Sequence, residues 1–294
     1  LILFGQGNKS VGTIVAISSY ASYFWQPIMN LGNIFNNFIN NIAYLERIFE
    51  TIDEPVTVKD AEHAIEMPKI RGKVTFDHVT FAYDETKTIL KDVSFTVNPG
   101  ESVALVGPTG AGKSTIVNLI SRFYNVNDGK VLIDDQDIAN VTIHSLRAQM
   151  GIMMQDSFIF SGTIADNIRY GKLDATQEEI EKAGKIVCAD PFIREMPKGY
   201  ETQVRERGSM LSQGQKQLIS FARTLLCDPA ILILDEATSS IDVQTEKALQ
   251  TGLNRMLKGR TSFIIAHRLS TIRGCDKIMY IDDGGIAEAG THEE

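Results

Sequence analysis

The sequence predicts an α/β fold with a mainly parallel sheet, preceded by an antiparallel β portion and by a long helix of membrane type. The second half of the chain alternates short apolar, β-rich runs with helical patterns, which is typical of parallel strands joined by helices. Several β-rich runs precede this alternation and favour antiparallel pairing. Ahead of both, residues 10–45 contain no charged side chain. A stretch of that length can cross about 30 Å of hydrocarbon as a helix.

Composition and charge exclude several classes of function. The chain has 294 residues, of which 43% are hydrophobic, and this is enough for a packed core. Its net charge of -8 argues against non-specific nucleic-acid binding. Cys188, Cys227 and Cys275 are widely spaced, which predicts buried thiols in a reducing compartment and no disulfide framework or zinc site. Leu1 and Glu294 both suggest cut ends, so we expect a fragment of a longer protein.

The uncharged N-terminal stretch predicts one continuous helix. Val11–Met29 is long enough for a membrane crossing, although it is only moderately apolar and contains several serines and a proline. Asparagines then recur at helical spacing, at Asn30, Asn33, Asn37 and Asn40. Amides in a membrane helix usually face a bundle interior or a water-filled path. A soluble amphipathic helix packed on another domain remains the alternative.

A linker over residues 51–72 is predicted from its prolines, its glycine and its mixed charges. The strands predicted after it are Val74–Phe81, Ile89–Val97, Ser102–Val106, Lys130–Ile133, Ala230–Leu234, Thr261–Ala266 and Lys277–Ile281. The helical segments predicted between them are Ser114–Phe123, Thr176–Ala189 and Gln213–Leu226.

The run Gly107–Ser114 satisfies the spacing GxxxxGK[ST], after an apolar strand and before a helical pattern. Its glycines let successive backbone N–H groups point at phosphate oxygens, and the helix N-terminus adds partial positive charge. We expect Lys113 to reach the β- and γ-phosphates and Ser114 to bind Mg²⁺. A glycine-rich turn without a ligand would not need Lys and Ser in these places.

A second motif, Ile231–Glu236, is an apolar strand that ends in two carboxylates. Its strand delivers Asp235 to the magnesium ion, and Glu236 can polarise the attacking water as a general base. A third motif, Leu211–Gln215, begins a helix and offers Ser212 and Gly214 to a phosphate. Taken alone, this third motif favours an ordinary helix N-cap at Ser212 over a phosphate site.

These three motifs, in this order, resemble the ATP-binding-cassette (ABC) superfamily, whose signature sequence Leu211–Gln215 matches. The resemblance implies a P-loop NTPase domain over residues 73–294, with a RecA-like core, an antiparallel β subdomain and a helical subdomain. It also implies that Tyr83 stacks on adenine, that Gln155 touches Mg²⁺ and the γ-phosphate, and that His267 contacts the γ-phosphate and Glu236. The other residues that it assigns to nucleotide binding are Gly107, Pro108, Thr109, Gly110, Ala111, Gly112, Lys113, Ser114, Thr115, Ser212, Gly214 and Gln215.

The resemblance extends beyond these motifs. Ser239–Asp242 looks like the loop that crosses to a partner domain, and Thr202–Gly208 looks like the segment that exporters place before the signature. Glu46–Phe49 and the helix before it resemble the last membrane helix of an exporter, which assigns residues 1–50 to a transmembrane domain. A multi-pass protein of the bacterial plasma membrane is implied, with the nucleotide-binding domain in the cytoplasm. Such a fragment is not expected to transport anything by itself.

The family arrangement implies two such domains that enclose two ATP molecules head to tail, so that the signature serves the neighbour's nucleotide. Export driven by ATP hydrolysis is the leading hypothesis. A soluble ABC-superfamily ATPase, an importer subunit or a nucleotide-binding module without hydrolysis are the alternatives. The presence of Glu236 and His267 argues against the last of these. Homodimer and heterodimer remain open, and the cargo would be selected by membrane helices outside this chain.

Overall fold

The computed structural model describes residues 11–84, 86–153, 158–205, 208–235, 243–266 and 269–294. The chain divides into two compact units after Thr57. Each unit is described by itself.

The described residues of the first unit contain one helix, α1 (Val11–Ile52), of 42 residues. Its side chains are exposed along the whole length. The helix ends where Asp53 donates its N–H to the Phe49 carbonyl, and the Thr51 hydroxyl bonds back to the Arg47 carbonyl. The prediction of a continuous helix is therefore confirmed. Among the helices of the described residues, none has both the length and the hydropathy needed to cross a membrane.

The second unit contains the strands. They are β1 (Val74–Ala82), β2 (Thr88–Val97), β3 (Ser102–Val106), β4 (Asp128–Ile133), β5 (Gln136–Asp137), β6 (Met150–Met153), β7 (Gly162–Thr163), β8 (Gln203–Val204), β9 (Ile231–Asp235), β10 (Thr261–Ile265), β11 (Lys277–Asp282) and β12 (Gly285–Gly290). The antiparallel sheet has the order β2-β1-β4-β5, and the larger sheet has the order β12-β11-β3-β10-β9-β6. Strand pairing in the larger sheet is parallel except between β11 and β12. The predicted antiparallel portion and parallel sheet are both confirmed.

The helices of the second unit lie between these strands. They are α2 (Lys113–Ile120), α3 (Ile143–Arg147), α4 (Ile164–Arg169), α5 (Gln177–Ile186), α6 (Asp190–Glu195), α7 (Gln213–Leu226), α8 (Val243–Leu257) and α9 (Leu269–Arg273). Short 3₁₀ helices cover Ile138–Asn140 and Gly199–Glu201. Four of the α-helices, α4 to α7, form the helical middle of the chain together with the small β7–β8 ladder.

Two apolar cores lie on opposite faces of the six-stranded sheet. Successive side chains of a strand point to opposite faces. In β9, Ile231 and Ile233 therefore belong to the core shared with the antiparallel sheet, whereas Leu232 and Leu234 belong to the core shared with the helical middle. β10 repeats this alternation. Because both faces are covered, these strands read as continuous apolar runs in the sequence.

The predicted helix Thr176–Ala189 is shorter in the structure, where it covers Gln177–Ile186. Thr176 is its N-cap, and Cys188 adopts a left-handed conformation with φ of 62°. The N–H of Ala189 then bonds to the Gly184 carbonyl, and the N–H of Cys188 bonds to the Lys185 carbonyl. This pattern of two reversed hydrogen bonds terminates a helix. The sequence prediction extends the helix to Ala189 because the apolar pattern continues past Ile186, where the helix ends.

The second half of the predicted linker is fastened to the domain surface. The carboxylate of Asp134 accepts the N–H groups of Arg71, Gly72 and Lys73. The side-chain amide of Gln149 accepts a hydrogen bond from the N–H of Ile70 and donates to the carbonyls of Met67 and Pro68. An extended backbone that satisfies its polar groups in this way behaves as part of the domain.

Candidate functional site

The loop between β3 and α2 occupies the carboxyl edge of the parallel sheet. β3 lies between β10 and β11 in the sheet, and ligands of open α/β sheets bind beyond the carboxyl ends of such strands. The loop ends at Gly112, the N-cap of α2, which has a left-handed conformation with φ of 110°. The first turn of α2 therefore points its unpaired N–H groups into the loop, where an anion is stabilised.

At two glycines of this loop, neighbouring residues occupy the position that a Cβ atom would need. A Cβ atom on Gly107, which has φ of 141°, would lie 2.1 Å from the carbonyl oxygen of Ile281 in β11. A Cβ atom on Gly112 would lie 2.7 Å from the Leu90 side chain in β2. Gly110 also has a positive φ, but no atom lies within 4 Å of its Cβ position. The loop is thus held on one side by β11 and on the other by β2, while its tip is open.

Lys113 closes the loop on itself. Its ammonium donates to the carbonyl oxygens of Gly107 and Pro108, each at 2.8 Å. Burial lowers the pKa of Lys113, and the charge of Asp235 acts in the opposite direction. An ammonium has three N–H donors, so two bonds to the loop leave one for a ligand. Being partly desolvated, the charge interacts more strongly with an anion than it would in water.

Asp235 is aligned across the sheet with the end of β3, where the Gly107–Gly112 loop begins. In the strand register, Asp235 is opposite Ile265, and Ile265 is opposite Leu105. Leu105 lies two residues before Gly107. The carboxylate at the end of β9 and the ammonium at the start of α2 therefore lie at the same edge of the sheet, where the charge of Asp235 acts on Lys113.

Tyr83 follows β1 and lies beside the helix that begins at the loop. Its hydroxyl is 3.1 Å from the Thr115 hydroxyl in the first turn of α2. Thr115 is buried, whereas the Tyr83 ring is exposed. The structure thus brings Tyr83, Lys113, Thr115 and Asp235 together around one loop. Ser114 begins the same helix and has an exposed side chain.

A cavity of about 560 Å³ borders the open tip of the loop. Pro108–Ala111 form one wall, Thr86–Ile89 form another, and the β11–β12 turn Asp282–Gly284 forms a third. No group of three or more His, Cys, Asp or Glu side chains that could hold a metal occurs within the described residues.

The predicted signature residues lie on another helix. The Ser212 hydroxyl accepts the N–H of Gln215, and the Gln215 side chain accepts the N–H of Ser212. This reciprocal pair is a capping box, so the interpretation of Ser212 as a helix cap is confirmed. The cap uses a lone pair of the hydroxyl and leaves its O–H as a donor. Among the described residues, neither Ser212 nor Gln215 hydrogen-bonds to the Gly107–Thr115 loop.

Several predicted residues lie outside the described part of the chain. They are Gln155, Glu236, His267 and the loop Ser239–Asp242. The strands that precede them are described. β6 ends at Met153, β9 ends at Asp235 and β10 ends at Ile265, and all three run in the same direction as β3.

An aromatic surface patch was not predicted from the sequence. It consists of Phe158, Phe160 and Tyr170, all exposed, with the Phe160 and Tyr170 rings stacked at 4.6 Å. The guanidinium of Arg223 lies beneath these two rings and donates to the carbonyls of Phe158 and Asn167. The patch therefore has a fixed geometry. The patch residues come from two segments and their supporting arginine from a third, which is why sequence spacing does not reveal the patch.

A strand, a glycine loop and a helix at the edge of a parallel sheet, with an ammonium over the loop, define a P-loop nucleotide hydrolase. Comparison with known families shows to which family of P-loop nucleotide hydrolases the chain belongs. The chain belongs to the ABC transporter family, whose sequence profile matches residues 90–239. It carries the nucleotide-binding, ATP-hydrolysing domain of that family.

Individual relatives match almost the entire chain. The uncharacterized ABC transporter ATP-binding protein YknV of Bacillus subtilis (strain 168) is 50% identical over 285 residues, which cover 97% of this chain and 47% of that protein. A fatty acid ABC transporter ATP-binding/permease protein of Mycobacterium tuberculosis is 44% identical over 288 residues, which cover 98% of this chain and 45% of that protein. A solved structure of a bacterial Atm1-family ABC exporter with ATP bound matches with a TM-score of 0.78 and 42% identity, over 99% of this chain and 51% of that one. The chain thus spans about half the length of the relatives that it matches.

Proposed function

We propose that this chain is the nucleotide-binding part of an ABC exporter, in which hydrolysis of MgATP drives movement of a substrate across a membrane. In this proposal, residues 1–50 belong to a transmembrane domain and contain its last membrane helix, residues 51–72 are the linker, and residues 73–294 bind the nucleotide. The observation that carries the proposal is that the charge of Asp235, at the end of β9, acts on the partly buried Lys113 ammonium at the edge of the sheet where the glycine loop begins α2.

The loop holds the triphosphate. Backbone N–H groups of Gly110, of Gly112 and of the first turn of α2 point at the phosphate oxygens, with the side chain of Thr115 beside them. Lys113 uses its remaining donor for the β- and γ-phosphates, and its charge stabilises the charge that develops during transfer. The conformation of Gly107 supports this role, since a side chain there would collide with β11. Tyr83 stacks on the base.

Ser114 and Asp235 suit a magnesium ion, together with Gln155. Mg²⁺ prefers hard oxygen ligands and is usually held by one or two protein groups and the phosphates. An exposed hydroxyl at the start of α2 and a carboxylate at the end of β9 match that preference, and they do not need a dedicated cluster of protein ligands. The ion would neutralise charge on the phosphates.

Hydrolysis needs a base and a group that senses the γ-phosphate. Glu236 follows Asp235 directly and is the proposed general base, and His267 is the proposed contact to the γ-phosphate. The strands that precede them in the chain, β9 and β10, are neighbours in the sheet and end at the edge that carries the P-loop.

A second nucleotide-binding domain completes the site. Ser212, Gly214 and Gln215 begin a helix whose N-terminus suits a phosphate, yet Ser212 and Gln215 make no hydrogen bond to the P-loop of their own chain within the described residues. A head-to-tail pair of domains would bring this helix to the partner's nucleotide. Closure on ATP and opening after hydrolysis then follow from the difference in ligand binding between two states.

The exporter assignment also implies a membrane-embedded domain as partner and a location in the bacterial plasma membrane, with the nucleotide-binding domain on the cytoplasmic side. The solved exporter with 42% identity to this chain supports this assignment.

The aromatic patch of Phe158, Phe160 and Tyr170 is suited to a protein partner, because exposed aromatic groups on a rigid base are typical of interfaces.

The test is the MgATPase rate of the chain, purified with and without detergent, as a function of protein concentration. Glu236→Gln is the control that retains ATP and blocks turnover. A rate per molecule that rises with concentration and vanishes in Glu236→Gln supports paired sites made by two copies. ATP binding without turnover at any concentration overturns the homodimer and points to an unlike partner. Failure to bind ATP contradicts the proposal as a whole.

A further inference from the structure

We propose that Tyr124 is a positioning residue for the nucleotide base, because it fixes the orientation of the Tyr83 ring. This inference rests on the proposed function, in which Tyr83 stacks on adenine. Tyr124 belongs to none of the sequence motifs, and it reaches the site only through the fold.

The two tyrosines and Phe81 form a compact aromatic group. The Tyr83 and Tyr124 ring centroids are 4.9 Å apart with an interplanar angle of 84°, and the Tyr83 and Phe81 centroids are also 4.9 Å apart, at 86°. Both contacts are edge-to-face, which is a favoured arrangement for aromatic pairs. Two perpendicular neighbours leave the Tyr83 ring little freedom to rotate about its side-chain bonds.

A third contact fixes the far end of Tyr83. Its hydroxyl is 3.1 Å from the Thr115 hydroxyl, in the first turn of the helix that begins at the P-loop. The ring is therefore attached to the phosphate-binding helix at its tip and to Tyr124 at its side. Base and triphosphate would consequently be held by one connected unit.

Tyr124 is itself held in place by an unusual helix end. After α2, Arg122 adopts a left-handed conformation with φ of 50°, and the N–H groups of Arg122 and Phe123 bond back to the carbonyls of Leu119 and Asn118. Glycine normally occupies this position of the motif. Here the buried guanidinium of Arg122 donates to the carbonyls of Val141 and Lys59, which stabilises the strained residue. The chain changes direction at Arg122, and this places the Tyr124 ring against the Tyr83 ring.

The exposure of these rings separates a binding role from simple core packing. Tyr83 is 47% exposed and Tyr124 is 41% exposed, whereas Phe81 beneath them is 3% exposed. Phe81 belongs to the apolar core, and the two tyrosines form its open rim. The half-exposed Tyr83 ring, held in a fixed geometry by Tyr124 next to a P-loop, is suited to stack on a planar ligand such as a purine base.

The experiment compares ATP with inorganic tripolyphosphate, which has the phosphates and no base. Binding of each to the full chain is measured by calorimetry without Mg²⁺, for wild type, Tyr124→Leu, Tyr124→Phe and Tyr83→Ala. Phe123→Leu is the matched control, since Phe123 is the neighbouring exposed ring and lies under Arg147 at 4.6 Å. Loss of one favourable aromatic pair predicts that Tyr124→Leu weakens ATP binding about 2- to 10-fold. Tripolyphosphate binding, Tyr124→Phe and Phe123→Leu are expected to stay at wild-type affinity.

The double variant Tyr83→Ala/Tyr124→Leu tests whether Tyr124 acts through Tyr83. No additional loss in the Tyr83→Ala background supports the proposal, whereas an additive loss overturns it, because Tyr124 would then touch the ligand itself. Unchanged ATP binding in Tyr124→Leu also overturns it, as does an equal loss for ATP and tripolyphosphate, which would indicate altered folding. If Tyr83→Ala alone leaves ATP affinity unchanged, the proposed stacking by Tyr83 fails, and this result is distinct from a failure of Tyr124.

Discussion

The ammonium of Lys113 lies 2.8 Å from the carbonyl oxygen of Gly107, at the opposite end of the same loop. A second bond of the same length joins it to the Pro108 carbonyl. The side chain thus spans the loop and stabilises its curled backbone, with its charge partly desolvated. One residue both maintains the shape of the phosphate cradle and supplies its positive charge.

We expect Lys113→Ala to abolish measurable MgATPase activity and to weaken ATP binding at least tenfold, because it removes a charge-assisted contact and the closure of the loop. Binding is measured by calorimetry and turnover by phosphate release. Lys73→Ala is the control, since that lysine pairs with Asp135 at 2.7 Å in a different part of the domain. Equal behaviour of the two variants would contradict the assigned role.

Two alanine substitutions in the loop should differ sharply. Gly107→Ala introduces a Cβ atom 2.1 Å from the Ile281 carbonyl oxygen as well as an unfavourable φ, so we expect a loss of several kcal/mol or a displaced loop. Gly110→Ala meets no atom within 4 Å and carries only the backbone strain, about 1 kcal/mol. Urea unfolding of both variants checks the order. Gly110→Ala being the less stable protein would refute this argument.

The cap of α7 separates stability from activity. Ser212→Ala should lower the free energy of unfolding by about 1 kcal/mol, because the N–H of Gln215 loses its acceptor. Ser212→Asp retains the cap and adds a negative charge where the partner's γ-phosphate is proposed to bind, so stability should persist while ATPase activity falls strongly. Thr176→Ala removes the equivalent capping box of α5 and should cost similar stability with activity intact. Full activity of Ser212→Asp would argue against a phosphate at this helix.

Arg223 supports the aromatic patch from below. Arg223→Leu leaves the carbonyls of Phe158 and Asn167 without their donor, and we expect a loss of about 2–3 kcal/mol in the free energy of unfolding. Arg223→Lys keeps the charge but lacks the planar fork that serves several acceptors, so it should recover only part of that loss. Thermal and urea unfolding measure both. Complete recovery by lysine would mean that the charge alone matters.

One hydrogen-bonded pair predicts a pH dependence. The hydroxyl of Ser102 and its N–H both donate to Asp276, and they hold the pKa of this carboxyl below its ordinary value of 3.8. A lowered folded-state pKa contributes stability that is present above the unfolded value and is lost as the pH falls through the folded value. Ser102→Ala should therefore cost about 1 kcal/mol near neutral pH, since Asp276 is exposed and solvent weakens the interaction.

The difference between wild type and Ser102→Ala should shrink as the pH falls below about 4, where Asp276 becomes protonated in the unfolded and then in the folded state. Unfolding free energies at neutral and acidic pH test this, with Asp276→Asn as the background in which no such pH dependence remains. A gap that grows in acid would reverse the assigned sign.

Elements with a strong local pattern were predicted well. β3 and α7 have the predicted bounds, since a buried strand is a continuous apolar run and a capped amphipathic helix begins at Ser212. β6 and β12 were missed because a short edge strand is defined by pairing with a neighbour and not by its own residues. The early end of α5 at Ile186 depends on one left-handed residue, Cys188, which no periodicity reveals.

The candidate functional site also has one part that the sequence predicts and another that depends on tertiary packing. The sequence by itself determined the P-loop, its lysine, the strand that ends at Asp235 and the capped helix at Ser212, because each is a contiguous run whose chemistry follows from spacing. Only the tertiary structure decided that Tyr83 hydrogen-bonds to Thr115 and packs against Tyr124. It also decided that β11 packs closely against Gly107 and that residues 70–73 hydrogen-bond to the rest of the domain. These contacts join segments far apart in the chain. Their distances depend on how all the elements pack, which no local pattern encodes.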